Sequence, residues 1–158
     1  MSLSFTHLGT GSRGNATLVE CGEMKILIDQ GFSGKQLESR LARMELKPDE
    51  IDAIVITHHH GDHGGGASIA HKRWNLPIYC NDRTATALNL DLSGVTLFES
   101  LEALNFGDDL ALLPVPVPHS GSDNVGFIAS HKGERGAVIT DLGSCLLYTS
   151  DAADDFVR

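Results

Sequence analysis

The sequence feature that most constrains the fold is a histidine-rich segment, residues 58–63, with the sequence His-His-His-Gly-Asp-His. It directly follows a short apolar segment, residues 53–57, whose β-branched residues are typical of a buried strand. In extended backbone, positions two apart project to the same side, so His58 and His60 can present two imidazoles to one ion. The following aspartate and histidine add a carboxylate and another imidazole. Mixed nitrogen and oxygen ligands suit Zn²⁺, with Mn²⁺ or Fe²⁺ as alternatives.

The same segment has a plainer interpretation as a solvated polar loop. Asp62 would then serve only as the cap of a helix that starts near Gly64. The order His-x-His-x-Asp-His, placed between an apolar strand and a glycine-rich helix entry, favours metal binding over that alternative. We therefore predict that the metal ligands in this segment are His58, His60, Asp62 and His63.

Strand and helix patterns alternate along the rest of the chain. The predicted strands are residues 2–8, 16–21, 24–29, 53–57, 77–80, 96–98, 110–117, 125–130 and 137–140. The predicted helices cover about residues 67–74 and 84–90, and an earlier helix follows a Ser33 cap and places Leu37, Leu41 and Met44 on one face. Strands outnumber helices, and the helices lie between strands. This pattern predicts a mixed α/β layered fold.

The histidine motif resembles the metal-binding segment of the metallo-β-lactamase superfamily, whose defining pattern is His-x-His-x-Asp-His. The likeness runs from Leu3 to about Gly143. It implies an αββα sandwich, an α/β fold in which two sheets pack face to face between layers of helices. It also implies two ligands further along the chain. These are His119, which follows a predicted strand in the sequence Pro-His-Ser-Gly, and Asp141, at the end of another strand.

The resemblance implies a site for two divalent metal ions, Zn²⁺ in the first place and Mn²⁺ as the alternative. Asp62 is the predicted catalytic residue as well as a ligand. Asp29 matches an aspartate that supports the metal loop through a hydrogen bond, although an ordinary turn at a strand end explains it almost as well. The implied ligands are His58, His60 and His119 for one ion, Asp62 and His63 for the other, and Asp141 between the two.

Two other segments, the loop at residues 9–15 and Phe-Ser-Gly-Lys at 32–35, resemble the bacterial branch of the superfamily called YycJ or VicX-like. That branch implies an exonuclease or phosphodiesterase in which a metal-activated hydroxide attacks the substrate. The substrate would be a small-molecule or nucleic-acid phosphodiester. The alternative is a thioester or lactone hydrolase similar to glyoxalase II, because the same kind of site hydrolyses several substrate classes and the fold does not choose among them.

Charge and cysteine content bear on partners and location. The formal net charge of −9 argues against a long nucleic-acid footprint held by bulk electrostatics. Three cysteines, none in a Cys-x-x-Cys pair, argue against a disulfide framework and favour a reducing cytoplasm. The first residues lack the basic and apolar regions of a signal peptide, and no apolar stretch is long enough to span a bilayer. We therefore expect a cytoplasmic protein without a membrane partner.

The C-terminal segment from about Cys145 resembles the translation of a transposase adapter used to prepare sequencing libraries. A genuine short C-terminal helix is the alternative. We expect residues 1–144 to be the N-terminal part of a metallo-β-lactamase domain and residues 145–158 to be a non-native tail. The histidine that completes the second metal site in the superfamily has no counterpart after His131. Its absence is what a domain truncated in its C-terminal half would show.

A truncated sandwich would leave the second sheet incomplete and its apolar face exposed. We therefore predict that residues 1–158 alone are poorly soluble or unstable, and a further alternative for this chain is an inactive fragment that binds metal weakly. A version continued past Ser144 in an uninterrupted reading frame should be soluble and active. Size-exclusion chromatography and hydrolase assays on the two versions at equal concentration check this expectation. Monomeric, active protein from residues 1–158 would contradict it.

Overall fold

The computed structural model describes residues 2–117, 124–139 and 146–149. Within these ranges the chain forms two β-sheets and one layer of helices. The strands are β1 (Leu3–Gly9), β2 (Ala16–Cys21), β3 (Met24–Ile28), β4 (Ala53–Val55), β5 (Ile78–Cys80), β6 (Val95–Leu97), β7 (Leu104–Phe106), β8 (Leu110–Pro116), β9 (Val125–His131), β10 (Glu134–Ile139) and β11 (Leu146–Thr149). The helices are α1 (Gly34–Ala42), α2 (Gly61–Gly64), α3 (Ala67–Trp74) and α4 (Asp82–Ala87).

The first sheet has the strand order β1-β2-β3-β4-β5-β6. Neighbours among β1, β2 and β3 are antiparallel, whereas β3 to β6 are parallel. Because β1 runs in the same direction as β3, the carboxyl ends of β1, β3, β4, β5 and β6 meet at one edge of the sheet. We call this the site edge. The loop at residues 10–15 and the histidine segment therefore lie at the same edge.

Helices cover one face of the first sheet, and α1 shows how the sequence specifies one of them. The Ser33 hydroxyl accepts a hydrogen bond from the Gln36 amide, and the Gln36 side chain accepts one from the Ser33 amide. This capping box satisfies two backbone donors at the helix start. Leu37 and Leu41 are fully buried against the sheet, as their spacing predicts. The helix ends at Ala42, so the predicted Met44 lies beyond it.

The second sheet is antiparallel and has the order β11-β10-β9-β8-β7. Its β9–β10 hairpin turns at Lys132 and Gly133, both with positive φ, between the two strands predicted at residues 125–130 and 137–140. The sequence pattern missed β7, because its three residues are too few to show an alternating pattern. The described tail residues Leu146–Thr149 form a strand paired with β10, so these four residues are not helical, and the rest of the tail lies outside the described residues.

The two sheets pack face to face through apolar side chains. Phe127 of β9 lies at the centre of this interface, fully buried, with its ring 5.8 Å from that of Phe98 in an edge-to-face arrangement. The described residues thus build an α/β arrangement of helices, sheet and second sheet, which agrees with the predicted fold class. None of the helices in the described ranges is long and apolar enough to cross a membrane. The other buried side chains between the sheets are Val19, Cys21, Ile26, Ile28, Ala53, Val55, Phe106, Leu110, Leu112, Val125, Ala129 and Val138.

Removal of the Phe127 ring should destabilise the sandwich, because it leaves a cavity between two rigid sheets. We expect Phe127→Ala to lower the free energy of unfolding by about 3–5 kcal/mol. Urea denaturation followed by circular dichroism measures this value. Leu92→Ala is the control. Because the Leu92 side chain is exposed, its removal should lower the free energy of unfolding by less than about 0.5 kcal/mol. A loss below about 1 kcal/mol for Phe127→Ala would contradict the packing described.

Candidate metal centre

The predicted ligand segment lies at the site edge, directly after β4. His58 is buried, whereas His60 is exposed and forms the N-cap of α2. This short helix begins at Gly61, earlier than the helix start near Gly64 considered above. Asp62 and His63 therefore occupy its first turn, and Asp62 is not the cap of a later helix.

The four predicted ligands of this segment point toward one another. The ring of His58 lies 4.0 Å from that of His63 and 4.7 Å from that of His60, measured between ring centroids. The Nε2 atom of His63 lies 3.7 Å from Oδ2 of Asp62. His59 falls between the ligands and is exposed. Three imidazoles and one carboxylate are thus gathered on a segment of six residues.

Behind this cluster, Asp29 is buried with only 1% of its surface exposed. It follows β3 with a φ of 68°, in the left-handed region that aspartate tolerates better than most residues. Its Oδ1 accepts a hydrogen bond of 2.8 Å from the Thr57 amide, and its Oδ2 accepts one of 2.8 Å from the Thr57 hydroxyl. The same Oδ2 lies 2.7 Å from Nδ1 of His63. One buried carboxylate therefore contacts both the strand end and a predicted ligand.

These contacts determine which nitrogen of each imidazole carries hydrogen. Both Asp29 oxygens accept hydrogen bonds from Thr57, and Nδ1 of His63 donates to Oδ2. The Thr57 hydroxyl donates its hydrogen to the same carboxylate, so it can only accept from His58. Its oxygen lies 2.8 Å from Nδ1 of His58, and that nitrogen therefore donates to it. Both rings then carry hydrogen on Nδ1 and keep a lone pair on Nε2. A lone pair on Nε2 is what a metal ion requires.

The protonation of the two buried imidazoles differs for physical reasons. Burial, helped by the nearby His63, lowers the pKa of His58 to about 4. His58 is therefore neutral near pH 7 and able to act as a ligand. Burial also tends to lower the pKa of His63, but the hydrogen bond and charge of Asp29, together with the charge of Asp62, outweigh it and raise that pKa. Metal binding at Nε2 of His63 requires the neutral ring, so a bound ion and a proton on that nitrogen exclude each other.

The loop after β1 holds Asp62 from the other side. The Asn15 amide donates to the Asp62 carbonyl at 2.7 Å, and Nδ2 of Asn15 lies 3.1 Å from Oδ2 of Asp62. Gly31 completes this contact, because a Cβ at that position would collide with the Asp62 carbonyl. Its amide donates to the Asn15 carbonyl. The position of the predicted catalytic carboxylate thus depends on two loops distant in sequence.

The donor chemistry of this cluster fits divalent metal ions, because it combines imidazole nitrogens with a carboxylate that is 30% exposed. In the described ranges, no three His, Cys, Asp or Glu side chains are arranged so that they could hold one ion together. The predicted assignment gives each ion only two ligands within residues 58–63 and stays a prediction. His119 and Asp141 lie outside the described residues, so their roles stay predictions.

Sequence reasoning missed three residues that organise the cluster. Thr57 links the carboxylate to one predicted ligand, Asn15 holds another, and Gly31 permits the close approach. Residues 9–15 carry part of the family resemblance, but that resemblance does not single out Asn15. A polar residue at the end of a buried strand was the available signal for Thr57.

Comparison with known proteins agrees with this fold. The family model described as the metallo-β-lactamase superfamily matches residues 9–149. The chain therefore belongs to this superfamily, as its motif predicts. Among solved structures, the Rm3 metallo-β-lactamase superposes with a TM-score of 0.67 at 18% identity, over 92% of this chain and 57% of that one. The MIM-2 metallo-β-lactamase gives a TM-score of 0.67 at 16% identity, over 82% of this chain and 55% of that one. At such identities the likeness concerns the fold alone.

Within the superfamily, the chain is similar to the exodeoxyribonuclease YycJ of Bacillus anthracis, with 32% identity over all of this chain and 60% of the relative. It is 34% identical to the exodeoxyribonuclease WalJ of Streptococcus pneumoniae, over 68% of this chain and 43% of the relative. A UPF0173 metal-dependent hydrolase of Archaeoglobus fulgidus is 30% identical, over 87% of this chain and 58% of the relative. The predicted likeness to the YycJ-like branch is confirmed, and the chain spans about 60% or less of these relatives' lengths.

The Asp29 carboxylate should be needed for tight metal binding, because it keeps the lone pairs of two imidazoles on Nε2. In Asp29→Asn the amide can donate to Nδ1 of His63 and reverse its tautomer. We expect the affinity for Zn²⁺ to fall about 10–100-fold. Competition with a chromophoric chelator measures the affinity, and thermal melting in chelator checks folding. Asp49→Asn is the control, since Asp49 is exposed. Unchanged Zn²⁺ affinity in folded Asp29→Asn would contradict this role.

Proposed function

We propose that this protein is a metal-dependent hydrolase that cleaves phosphodiester bonds in DNA, with exonuclease-type activity. One ion is assigned to His58, His60 and His119, the other to Asp62 and His63, with Asp141 between them. Zn²⁺ is the expected metal, with Mn²⁺ as the alternative. The observation that carries the proposal is the single buried carboxylate of Asp29, which orients the imidazoles of His58 and His63 with their Nε2 lone pairs free.

The chain's own residues prepare the site in two ways. Asp29 and Thr57 fix the imidazole orientations from behind the cluster. Asn15 positions the Asp62 carboxylate, which remains 30% exposed. When bound, a pair of divalent ions would supply an acidified water and positive charge for the attacked phosphate, so that no serine or cysteine nucleophile is needed.

The choice of DNA as substrate is supported by the names of two relatives, which are exodeoxyribonucleases. Charge agrees with an activity confined to a strand end. A net charge of −9 opposes a long electrostatic footprint on duplex DNA, whereas a terminal nucleotide needs only a short contact. A relative named hydroxyacylglutathione hydrolase, from Dechloromonas aromatica, is 31% identical over 63% of this chain, so a thioester is the appropriate comparison substrate.

The experiment compares metal content and turnover in neighbouring histidine variants of the version continued past Ser144, which is the version expected to be soluble and active. His58→Ala and His60→Ala should each lower bound metal, measured by elemental analysis, and reduce turnover by at least about 10²-fold. The reason is that each removes an imidazole assigned to the first ion. His59→Ala is a matched control, because His59 lies between the ligands and is exposed. The His59→Ala variant should keep the metal content and the turnover of the wild-type protein.

Substrates distinguish the proposed reaction from its alternative. We expect release of nucleotides from end-labelled DNA, hydrolysis of bis(p-nitrophenyl) phosphate, and little turnover of S-lactoylglutathione. Thioester turnover without DNA cleavage would replace the proposal with the alternative reaction. Unchanged metal content in both His58→Ala and His60→Ala would overturn the metal assignment itself.

A further inference from the structure

A cleft of about 510 Å³ opens at the site edge, outside the cluster described above. Its walls come from the loop after β5, the end of β6 and the following turn, the end of β8, and the residue before β9. The size lies within the range of roughly 300–1,000 Å³ that is usual for small-molecule sites. The described lining residues are Asn81, Asp82, Arg83, Leu97, Phe98, Glu99, Ser100, Pro116, Val117 and Asn124.

The cleft adjoins the metal loop through backbone hydrogen bonds. The Val125 amide donates to the Thr57 carbonyl at 3.0 Å, and Thr57 directly precedes His58. The Val117 amide donates to the Asn124 carbonyl at 3.0 Å, which joins the two strands that line the cleft. Consecutive Cα atoms are 3.8 Å apart, so the wall at Asn124 lies within a few residues' reach of the predicted ligands. A substrate bound at the metal loop can therefore extend into the cleft.

The lining combines apolar and polar side chains. Leu97 is 46% exposed although it ends a strand, and Pro116 and Val117 are further apolar lining residues. The polar lining residues include Arg83 and the carboxylates of Asp82 and Glu99. A surface that offers both apolar area and hydrogen-bonding groups matches a nucleobase, which has flat apolar faces and a polar edge.

The charges of the lining residues indicate which part of a nucleotide would enter the cleft. Asp82 and Glu99 repel phosphate, and Arg83 is the one cation among the described lining residues. Carboxylates instead accept hydrogen bonds from the amino groups of bases, and a guanidinium donates to base and sugar oxygens. The same two carboxylates disfavour a glutathione conjugate, which is itself a carboxylate-bearing anion. The cleft is thus suited to an uncharged nucleoside, with the phosphate left at the metal loop.

We propose that this cleft binds the terminal nucleoside of the DNA substrate, beside the phosphate that is hydrolysed. The inference rests on the proposed phosphodiesterase function. Leu97 supplies the surface on which the base lies, and Arg83 donates to oxygens of the base or sugar. The cleft would then explain why a chain with a strongly negative net charge acts on the end of a strand.

The test measures binding to the metal-loaded protein by isothermal titration calorimetry. The probes are 2′-deoxyadenosine 5′-monophosphate (dAMP) and inorganic phosphate, which reports the metal loop alone. Wild-type protein should bind dAMP at least about tenfold more tightly than phosphate. Leu97→Asp should weaken dAMP binding about tenfold and leave phosphate binding nearly unchanged, because it removes the apolar surface and adds a charge at the wall. Leu92→Asp is the matched control, since Leu92 is 58% exposed and precedes β6 at its opposite end.

Arg83→Ala provides a second, independent variant. We expect it to weaken dAMP binding about tenfold, and Arg83→Lys to restore part of the loss. Arg43→Ala is its control, because Arg43 is exposed at the end of α1 and does not line the cleft. Affinity for dAMP within twofold of wild type in both Leu97→Asp and Arg83→Ala would overturn the proposed subsite. So would wild-type protein that binds dAMP no more tightly than phosphate.

Hydrolysis of end-labelled DNA separates this inference from the function on which it rests. If the variants bind dAMP normally while the wild-type protein degrades DNA, the subsite is overturned and the proposed function is kept. If dAMP binding responds to Leu97 and Arg83 as expected but no DNA is cleaved with Zn²⁺ or Mn²⁺, the nucleoside site is supported and the proposed function is overturned.

Discussion

The structure of the site depends on one buried carboxylate. Asp29 accepts hydrogen bonds from the Thr57 amide, the Thr57 hydroxyl and the imidazole of His63. A buried charge is costly unless it is fully hydrogen-bonded, and these three donors satisfy it. Because the Thr57 hydroxyl is thereby oriented, it accepts from His58, and the influence of the carboxylate reaches a second imidazole. The tautomers of two predicted ligands are consequences of this one interaction.

The fold brings the parts of this network together through strand direction. β3, β4 and β1 all end at the site edge, so Asp29, the histidine segment and the loop containing Asn15 meet there although they are distant in sequence. The main-chain contact between Asn15 and Asp62 needs a glycine at residue 31. The sheet pairing thus fixes the neighbourhood, and small local features set the final geometry. Loops held on rigid strands are a common way to build such sites.

Much of this arrangement could be predicted from the sequence, and the reasons are local. Short-range patterns predict the strands at residues 16–21 and 24–29, the Ser33 cap, and the apolar strand before the histidine segment. Asp29 was singled out through the family resemblance, but its contacts were not. The roles of Thr57 and Asn15 could not be predicted, because they depend on which strands are neighbours in the sheet. The assignments of His119 and Asp141 stay predictions, since both lie outside the described residues.

The central claim is that His58 and His63 bind metal through Nε2 while Nδ1 stays with Thr57 and Asp29. The most direct measurement is a crystal structure of zinc-loaded protein with anomalous diffraction data at the zinc absorption edge. We expect two zinc peaks beside residues 58–63, one bonded to Nε2 of His58 and the other to Nε2 of His63, with both Nδ1 hydrogen bonds retained. Zinc bonded to Nδ1 of either residue, or absent from this cluster, would contradict the claim.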